Sequence, residues 1–424
     1  MHLQDIRGHW HLDGSSSLWV NLHGHHKAAL DRALNAQLGR IAHSTLLGLS
    51  NVPAIELAKK LIEIAPRGLT RVFYSDNGST AVEVALKIAF QYWQLKGAKF
   101  HKKTKFLHLG QSYHGDTLGA VSVGGISFFH DRYKPLLFPT FEAHAPYCYR
   151  CPLGLTLPKC KLSCADSVEA VLKSHHEEIA GIIVEPMLLA AGGMITMPSG
   201  YLRRLRRLAT RYHVLMIADE VATGFGRTGY MFACEHEAVR PDLMALSKGL
   251  TGGYMPLAAT LTTEPIYRQF FGRYEEFKTF FHGHSYTGNP LGCAVALASL
   301  EVFERERTLE KLQPKIELFR KMLKPLLAQS HVGDVRQLGL IAGIEIVRER
   351  QAKEPYPLAD RIGTRVTEAA RAAGLLLRPL GNIIVLMPPL STTAKELRAM
   401  VEIVASAIKI VTEPRVKRSR SNPM

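Results

Sequence analysis

The sequence predicts an α/β protein with a mainly parallel sheet, and three observations predict it. Short apolar runs recur, the clearest being Val214-Leu215-Met216-Ile217-Ala218, and a strand apolar at every position is one buried on both faces, as parallel strands are. Stretches with apolar residues at helical spacing alternate with these runs, among them Ala54 to Ile64 and Ala81 to Trp93, and such alternation implies right-handed crossovers. Polar residues stand where the runs stop: Asp219 after Ala218, Glu185 after Val184 and Lys248 after Ser247. In open α/β sheets ligands bind outside the carboxyl ends of the strands.

Taken in order, residues 1–45 form an N-terminal segment that joins a smaller domain. Trp10 to Gly14 carries a turn signal, Leu18 to Gly24 alternates like a short strand, and Leu30 to Leu38 is an amphipathic helix. His23, His25 and His26 lie in a glycine-containing stretch with no acid beside them, so they read as loop histidines and not as metal ligands. Residues 46–304 form the large domain. Its strands are Arg71 to Ser75, Lys105 to Leu109, Gly181 to Val184, the central run at 214–218, Pro241 to Ser247 and Leu257 to Leu261. A helix from Tyr201 to Tyr212 leads into the central run, and another from Leu291 to Glu304 closes the domain. From 305 to 413 charged helices separate short strands, Gly339 to Ile346 and Asn382 to Met387, which reads as a smaller α+β domain. Residues 414–424 are a basic tail expected to be disordered.

Bulk properties exclude several functions. At 424 residues, with 46% hydrophobic and 21% charged, the chain has the composition of a soluble globular enzyme. No apolar run reaches transmembrane length, and the amino terminus lacks a secretory core, so no membrane and a cytoplasmic location are expected. The net charge of +16 sits largely in Arg203-Arg204, Arg206-Arg207 and the tail, without interleaved aromatic residues, so no nucleic-acid partner is expected. Four of six cysteines cluster at 148, 151, 160 and 164, in an insertion spanning about 146–166 without strand or helix pattern. Their spacing admits a structural thiolate zinc knuckle, with a loop of reduced thiols as the plainer reading; no metal is expected in the chemistry.

Asp219 and Lys248, an acid and an amine at the ends of neighbouring strands, suit pyridoxal phosphate: the amine forms a Schiff base with the aldehyde and the acid pairs with the pyridinium nitrogen. A helix-capping aspartate and a surface lysine would carry the same spacing. The strand–turn–helix at Asp76-Asn77-Gly78-Ser79-Thr80 suits a phosphate, because the first N–H groups of a helix have no internal partner and point at the anion; Ser79 and Thr80 add hydroxyls. Tyr113 follows a strand end and can cover a flat ring, and His114 beside it reads as a hydrogen-bonding loop residue or a general base. The polar loop Phe281 to Pro290 offers further donors. Arg378 suits a bidentate clamp on a substrate carboxylate, or a surface arginine.

Together these stretches resemble the class III aminotransferases, pyridoxal phosphate enzymes of fold type I. The carrying residues are Ile217 to Gly229, Ser247 to Gly253, and Gly78-Ser79 opening its helix. Tyr113 to Thr117, Ala81 to Lys87, Phe232 to His236 and Leu386 to Pro389 are similar to one branch, the enzymes that make 7,8-diaminononanoate in biotin synthesis. The resemblance covers nearly the whole chain. It implies transamination of 8-amino-7-oxononanoate with S-adenosylmethionine or lysine as donor; the alternative within the family is an ornithine, 4-aminobutyrate or other ω-amino acid aminotransferase. It also implies a homodimer with shared active sites. In that scheme Lys248 carries the Schiff base, Asp219 faces the ring nitrogen, Gly78 and Ser79 hold the phosphate, and His284 and Ser285 reach it from the partner subunit. Tyr113 covers the ring and touches substrate, Trp19 and Gly283 line the substrate site, and Arg378 binds the keto acid's carboxylate.

Three departures stand out. Leu18-Trp19 replaces the adjacent tryptophans of many relatives. Gly283-His284-Ser285-Tyr286 differs from the Gly-Pro-Thr form of adenosylmethionine-using members and is closer to a branch with lysine-using ones. The chain also begins within the family's usual N-terminal segment, without the tyrosine expected there.

Overall fold

The computed structural model describes residues 1–413. At its centre is a seven-stranded sheet in the order Leu69–Ser75, Ala258–Thr263, Leu243–Leu246, Leu215–Asp219, Ile179–Val184, Lys105–Leu109, Phe141–Ala143. Every neighbouring pair is parallel except those made by Ala258–Thr263, which runs against both its neighbours. All five residues of Leu215–Asp219 are buried, as are all six of Ile179–Val184; their unbroken apolar character follows from having helices on both faces. One of these, Gly78–Leu95, lies across five of the strands with Val82, Ala85, Leu86 and Ala89 buried. The parallel register sets Ala245 beside Asp219, so both strands end at the same level and open onto one crevice.

A second, antiparallel sheet runs Val332–Leu338, Ile341–Glu349, Ile383–Leu386, Pro379–Leu380. Helices Ile362–Ala372 and Ala394–Thr412 pack together beside it. The N-terminal hairpin His2–Gln4 and Trp10–Asp13 pairs with Leu375–Leu376, Leu12 opposite Leu375. Arg227 then fastens this N-terminal region to the rest. It is almost fully buried and donates to the carbonyls of Pro388 at 2.8 Å, Asn21 at 2.7 Å and Trp19 at 3.3 Å.

Several expectations need correction. Leu18 to Gly24 is no strand: Ser16–Trp19 is an irregular helical turn, with φ of 60° at Ser17 and 66° at Trp19, and the alternation there reflects side chains packed by distant partners. The turn signal at Trp10 to Gly14 falls on a strand, Trp10–Asp13. Val332–Leu338, with Asp334, Arg336 and Gln337 in it, has too polar a pattern to read as a strand, but Asp334 and Arg336 are ion-paired and Gln337 donates to the carbonyls of Ile316 and Gly339. Two of the three loop histidines find acids, His25 on Asp13 at 2.9 Å and His26 on Asp31 at 2.5 Å, while His23 bonds to Ser299 at 2.9 Å. The cysteine-rich stretch lacks regular structure only as far as Cys164, where the helix Cys164–His175 begins. The arginines of Tyr201–Arg211 are largely paired, Arg204 with Asp166 and Glu169, Arg206 with Asp242 at 2.6 Å. Among the described residues no helix is long and apolar enough to cross a membrane. The basic tail lies outside the described residues.

Candidate active site

The crevice at the strand ends holds a cavity of about 510 Å³, lined by Trp19, Gly78, Ser79, Tyr113, Asp219 and Lys248 among others. Six residues singled out from the sequence thus meet in one place, from parts of the chain more than two hundred residues apart.

Asp219 is the last residue of its strand and 4% exposed. Its two carboxylate oxygens are separately occupied. Oδ2 accepts from His114 Nδ1 at 2.7 Å and Oδ1 from the Val221 amide at 3.1 Å. Because Oδ2 can only accept, Nδ1 carries the ring proton. The His114 ring is buried, and its Nε2 has no partner among the described residues. His114 therefore acts on Asp219 as a hydrogen-bonding loop residue; its neighbour Tyr113 lines the cavity, and burial pushes the Tyr113 hydroxyl pKa upward.

Lys248 follows the strand Leu243–Leu246, with φ of +34°, a sparsely populated conformation for a side-chain-bearing residue. Ser247 braces the turn: its hydroxyl donates to Leu257 O at 3.0 Å and its carbonyl accepts from Leu250 N at 2.8 Å. Lys248 Nζ stands 5.6 Å from the Trp19 ring centroid. Burial lowers its pKa, against the pull of Asp219 and Glu185, which favours a neutral, nucleophilic amine.

The helix Gly78–Leu95 begins at the cavity edge. Asn77 caps it, its side chain accepting from Thr80 N at 3.1 Å while Thr80 Oγ1 accepts from Asn77 N and donates to Asn77 O. The Thr80 hydroxyl expected at the anion is thus consumed by the cap. Gly78 and Ser79 keep their amides for the cavity, at the positive end of the helix dipole. A Cβ on Gly78 would stand 2.6 Å from Val221 Cγ1, so any other residue there must displace Val221. Gly115 is equally confined: it has φ of +130° and its Cβ would collide with Ser79.

Glu185 also lines the cavity and is a residue whose role local sequence did not disclose. It accepts from the amides of Tyr113 at 3.0 Å and Ala190 at 2.9 Å, and burial pushes its pKa up to about 7. The apolar strand before it marked its position; its two amide partners come from loops with no signal for it.

Gly283, His284 and Ser285 lie elsewhere on the chain, along a groove shared with His43, Leu46 and Phe73. His284 Nε2 is 3.4 Å from Asp76 Oδ1, and Asp76 belongs to the cavity rim. Arg378 is exposed, between the short strands Leu375–Leu376 and Pro379–Leu380, and does not line the cavity.

The cavity fits pyridoxal phosphate: free helix amides for an anion, a glycine where a side chain would displace Val221, a buried carboxylate held by two donors and a desolvated lysine. The family described as aminotransferase class-III matches residues 1–408. Adenosylmethionine-8-amino-7-oxononanoate aminotransferase of Geobacter sulfurreducens is 56% identical over 409 residues, 96% of this chain and 90% of that protein. The enzyme of the same name from Methanocaldococcus jannaschii is 47% identical, and its crystal structure superposes with a TM-score of 0.92, covering 97% of this chain and 91% of that one. An amine transaminase from an uncultivated Pseudomonas species, in a pyridoxal-phosphate-bound form, is 35% identical with a TM-score of 0.92 over 97% and 93% of the two chains.

Proposed function

The chain belongs to the class III aminotransferases, and from that premise we propose that it moves an amino group onto the ketone of 8-amino-7-oxononanoate, giving 7,8-diaminononanoate for biotin synthesis. The observation that carries the reaction class is the meeting of Asp219, Lys248 and the Gly78–Ser79 amides in one cavity. The choice of substrate rests on relatives of that name at up to 56% identity over nearly the whole chain.

When bound, pyridoxal phosphate supplies an aldehyde that carries nitrogen between donor and acceptor, and a ring that takes up an electron pair. The residues of the chain do the rest. Gly78 and Ser79 hold the phosphate through their amides. Asp219 would pair with the ring nitrogen, and His114 holds that carboxylate in orientation. Tyr113 would pack against the ring. Lys248 Nζ, as a neutral amine, would carry the proton between the substrate carbon bearing nitrogen and the cofactor, in one direction for the donor and in the other for the acceptor. Trp19 bounds the substrate inside the cavity; Gly283, which lies on another groove of the chain, would bound it from the partner subunit, and Arg378, outside the cavity lining, would pair with a carboxylate that extends beyond it. His284 and Ser285 complete the phosphate site from the partner subunit of a homodimer. In this reading residues 46–304 are the cofactor domain, 1–45 and 305–413 the smaller one, and the enzyme works in the cytoplasm without membrane or nucleic acid.

The test is product formation. Purified enzyme with pyridoxal phosphate should convert 8-amino-7-oxononanoate when supplied with S-adenosylmethionine or with lysine, given one at a time. Turnover of ornithine, 4-aminobutyrate or ω-amino acids, with none of 8-amino-7-oxononanoate, would assign the chain to another branch.

A further inference from the structure

The cysteine-rich stretch at 146–166 has no part in the chemistry above. Its four cysteines are free thiols, and among the described residues no three side chains are placed to hold a metal ion. Its first turn ties it to the antiparallel sheet. Tyr147 Oη donates to Glu345 Oε2 and Arg150 Nε to Glu345 Oε1, both at 2.5 Å. Glu345 lies on the strand Ile341–Glu349 and is buried. Burial alone would raise its carboxyl pKa, but Arg336, Tyr147 and Arg150 hold it below its usual range.

Arg336 carries the connection on to the cavity. Its guanidinium is divided between two sets of partners. Nη1 donates to Glu345 Oε2 at 2.6 Å and to Asp334 Oδ2 at 2.7 Å. Nη2 donates to Gly193 O at 2.8 Å and Nε to Met194 O at 3.2 Å. Gly193 and Met194 sit in the loop of a small hairpin, Leu188–Leu189 paired with Ile195–Thr196. Ala190 and Ala191, in the same loop, line the cavity. Ala190 and Met194 also share an apolar cluster with Trp19, whose ring stands beside Lys248. Met194 has φ of +53°, a conformation that costs free energy in a side-chain-bearing residue and persists only where its surroundings impose it. Glu185 holds this loop from the inner side, at the Ala190 amide. From the outer side Arg336 takes two of its carbonyls.

We propose that Arg336 is a positioning residue for the Ala190–Met194 wall of the cavity, and that residues 146–166 act on the reaction through it. Tyr147 and Arg150 orient the Glu345 carboxylate. That carboxylate, with Asp334, fixes the guanidinium plane, and the plane sets the two carbonyls. Buried polar networks with their partners in place rigidify what they join. Arg336 reaches neither cofactor nor substrate, so it acts on fit. When it is lost the wall shifts against the acceptor ketone and Trp19 shifts with it, while Asp219 and Lys248 keep their places at the ends of the parallel strands. The proposal rests on the reading of this cavity as the reaction site.

Two measurements on full-length holoenzyme test it. Hydrogen–deuterium exchange reports on the wall alone: in Arg336→Met the amides of 188–196 should exchange about tenfold faster, while those of the helix Gly78–Leu95 keep their rates. Steady-state kinetics report on fit: KM for 8-amino-7-oxononanoate should rise about 2- to 30-fold, with kcat within about twofold and the visible absorbance of the bound cofactor unaltered. Tyr147→Phe, which takes one donor from Glu345, should move both readouts the same way by less. Arg336→Lys should fall between Arg336→Met and wild type. Unchanged exchange in 188–196 would overturn the proposal. So would faster exchange with unchanged KM, or a loss of kcat and cofactor absorbance together, which marks general destabilisation. Should Arg336→Met not fold, the Tyr147→Phe enzyme decides. If wild type turned over no ketone, the substrate reading would fail by itself, and the exchange rates would still decide whether Arg336 holds the wall.

Discussion

Replacing His114 with phenylalanine separates the carboxylate of Asp219 from the ring that orients it. Phenylalanine keeps the shape of the imidazole and loses the Nδ1 donor. Oδ2 of Asp219 then has no protein donor among the described residues, and only the Val221 amide at 3.1 Å remains on the other oxygen. At 4% exposure, solvent does not replace the bond. A hydrogen bond to a buried charge contributes about 1.5–3 kcal/mol. If the ring nitrogen of the cofactor needs that charge, pyridoxal phosphate should bind the variant roughly 10- to 150-fold more weakly. Titration of apoenzyme with pyridoxal phosphate, followed by visible absorbance, measures this directly. His114→Asn should recover much of the loss, since its amide nitrogen occupies nearly the position of Nδ1. Wild-type affinity in the phenylalanine variant would refute the reasoning, as would equal losses in both variants.

Other residues give independent checks. Lys248→Ala should abolish turnover while circular dichroism stays native; retained activity would remove the lysine from its role. Gly78→Ala places a Cβ 2.6 Å from Val221 Cγ1, an overlap costing about 1–3 kcal/mol, and should weaken cofactor retention on gel filtration with little change in fold. Glu220, buried beneath the site, has its pKa raised by burial from 4.5 to about 7. A carboxyl raised on folding gives stability that is complete below pH 4.5 and lost as pH rises through about 7. Glu220→Gln should therefore gain in stability relative to wild type between pH 5 and pH 8, by up to about 3 kcal/mol and read as a rising melting-temperature difference, on top of a constant cost for its altered bonds to Thr223, Ala233 and Cys234. A difference that does not vary with pH would contradict the burial argument.

What could be read in the sequence was whatever local order determines. A strand buried on both faces must be apolar throughout, so Leu215–Asp219 and its terminal acid were visible, and parallel packing brought Lys248 to the same level. The helix opening at Gly78 was visible for the same reason. Partnerships made across the fold were not. His114 and Asp219 are 105 positions apart, and the sequence says only that each stands near a strand end. Trp19 is the sharper case. Its alternating neighbours suggested a strand, whereas it reaches the cavity from a turn with positive φ at Ser17 and Trp19. That conformation persists because Arg227, some two hundred residues away, takes the carbonyls of Trp19, Asn21 and Pro388. A guanidinium with fixed, planar donors holds these two segments through three carbonyls at once, an orientation that a flexible ammonium does not impose. The position of Trp19 over Lys248 therefore depends on Arg227, which touches neither cofactor nor substrate. Arg227→Lys should raise KM through a displaced Trp19 before it lowers kcat; an unchanged KM would mean that the turn holds its shape alone.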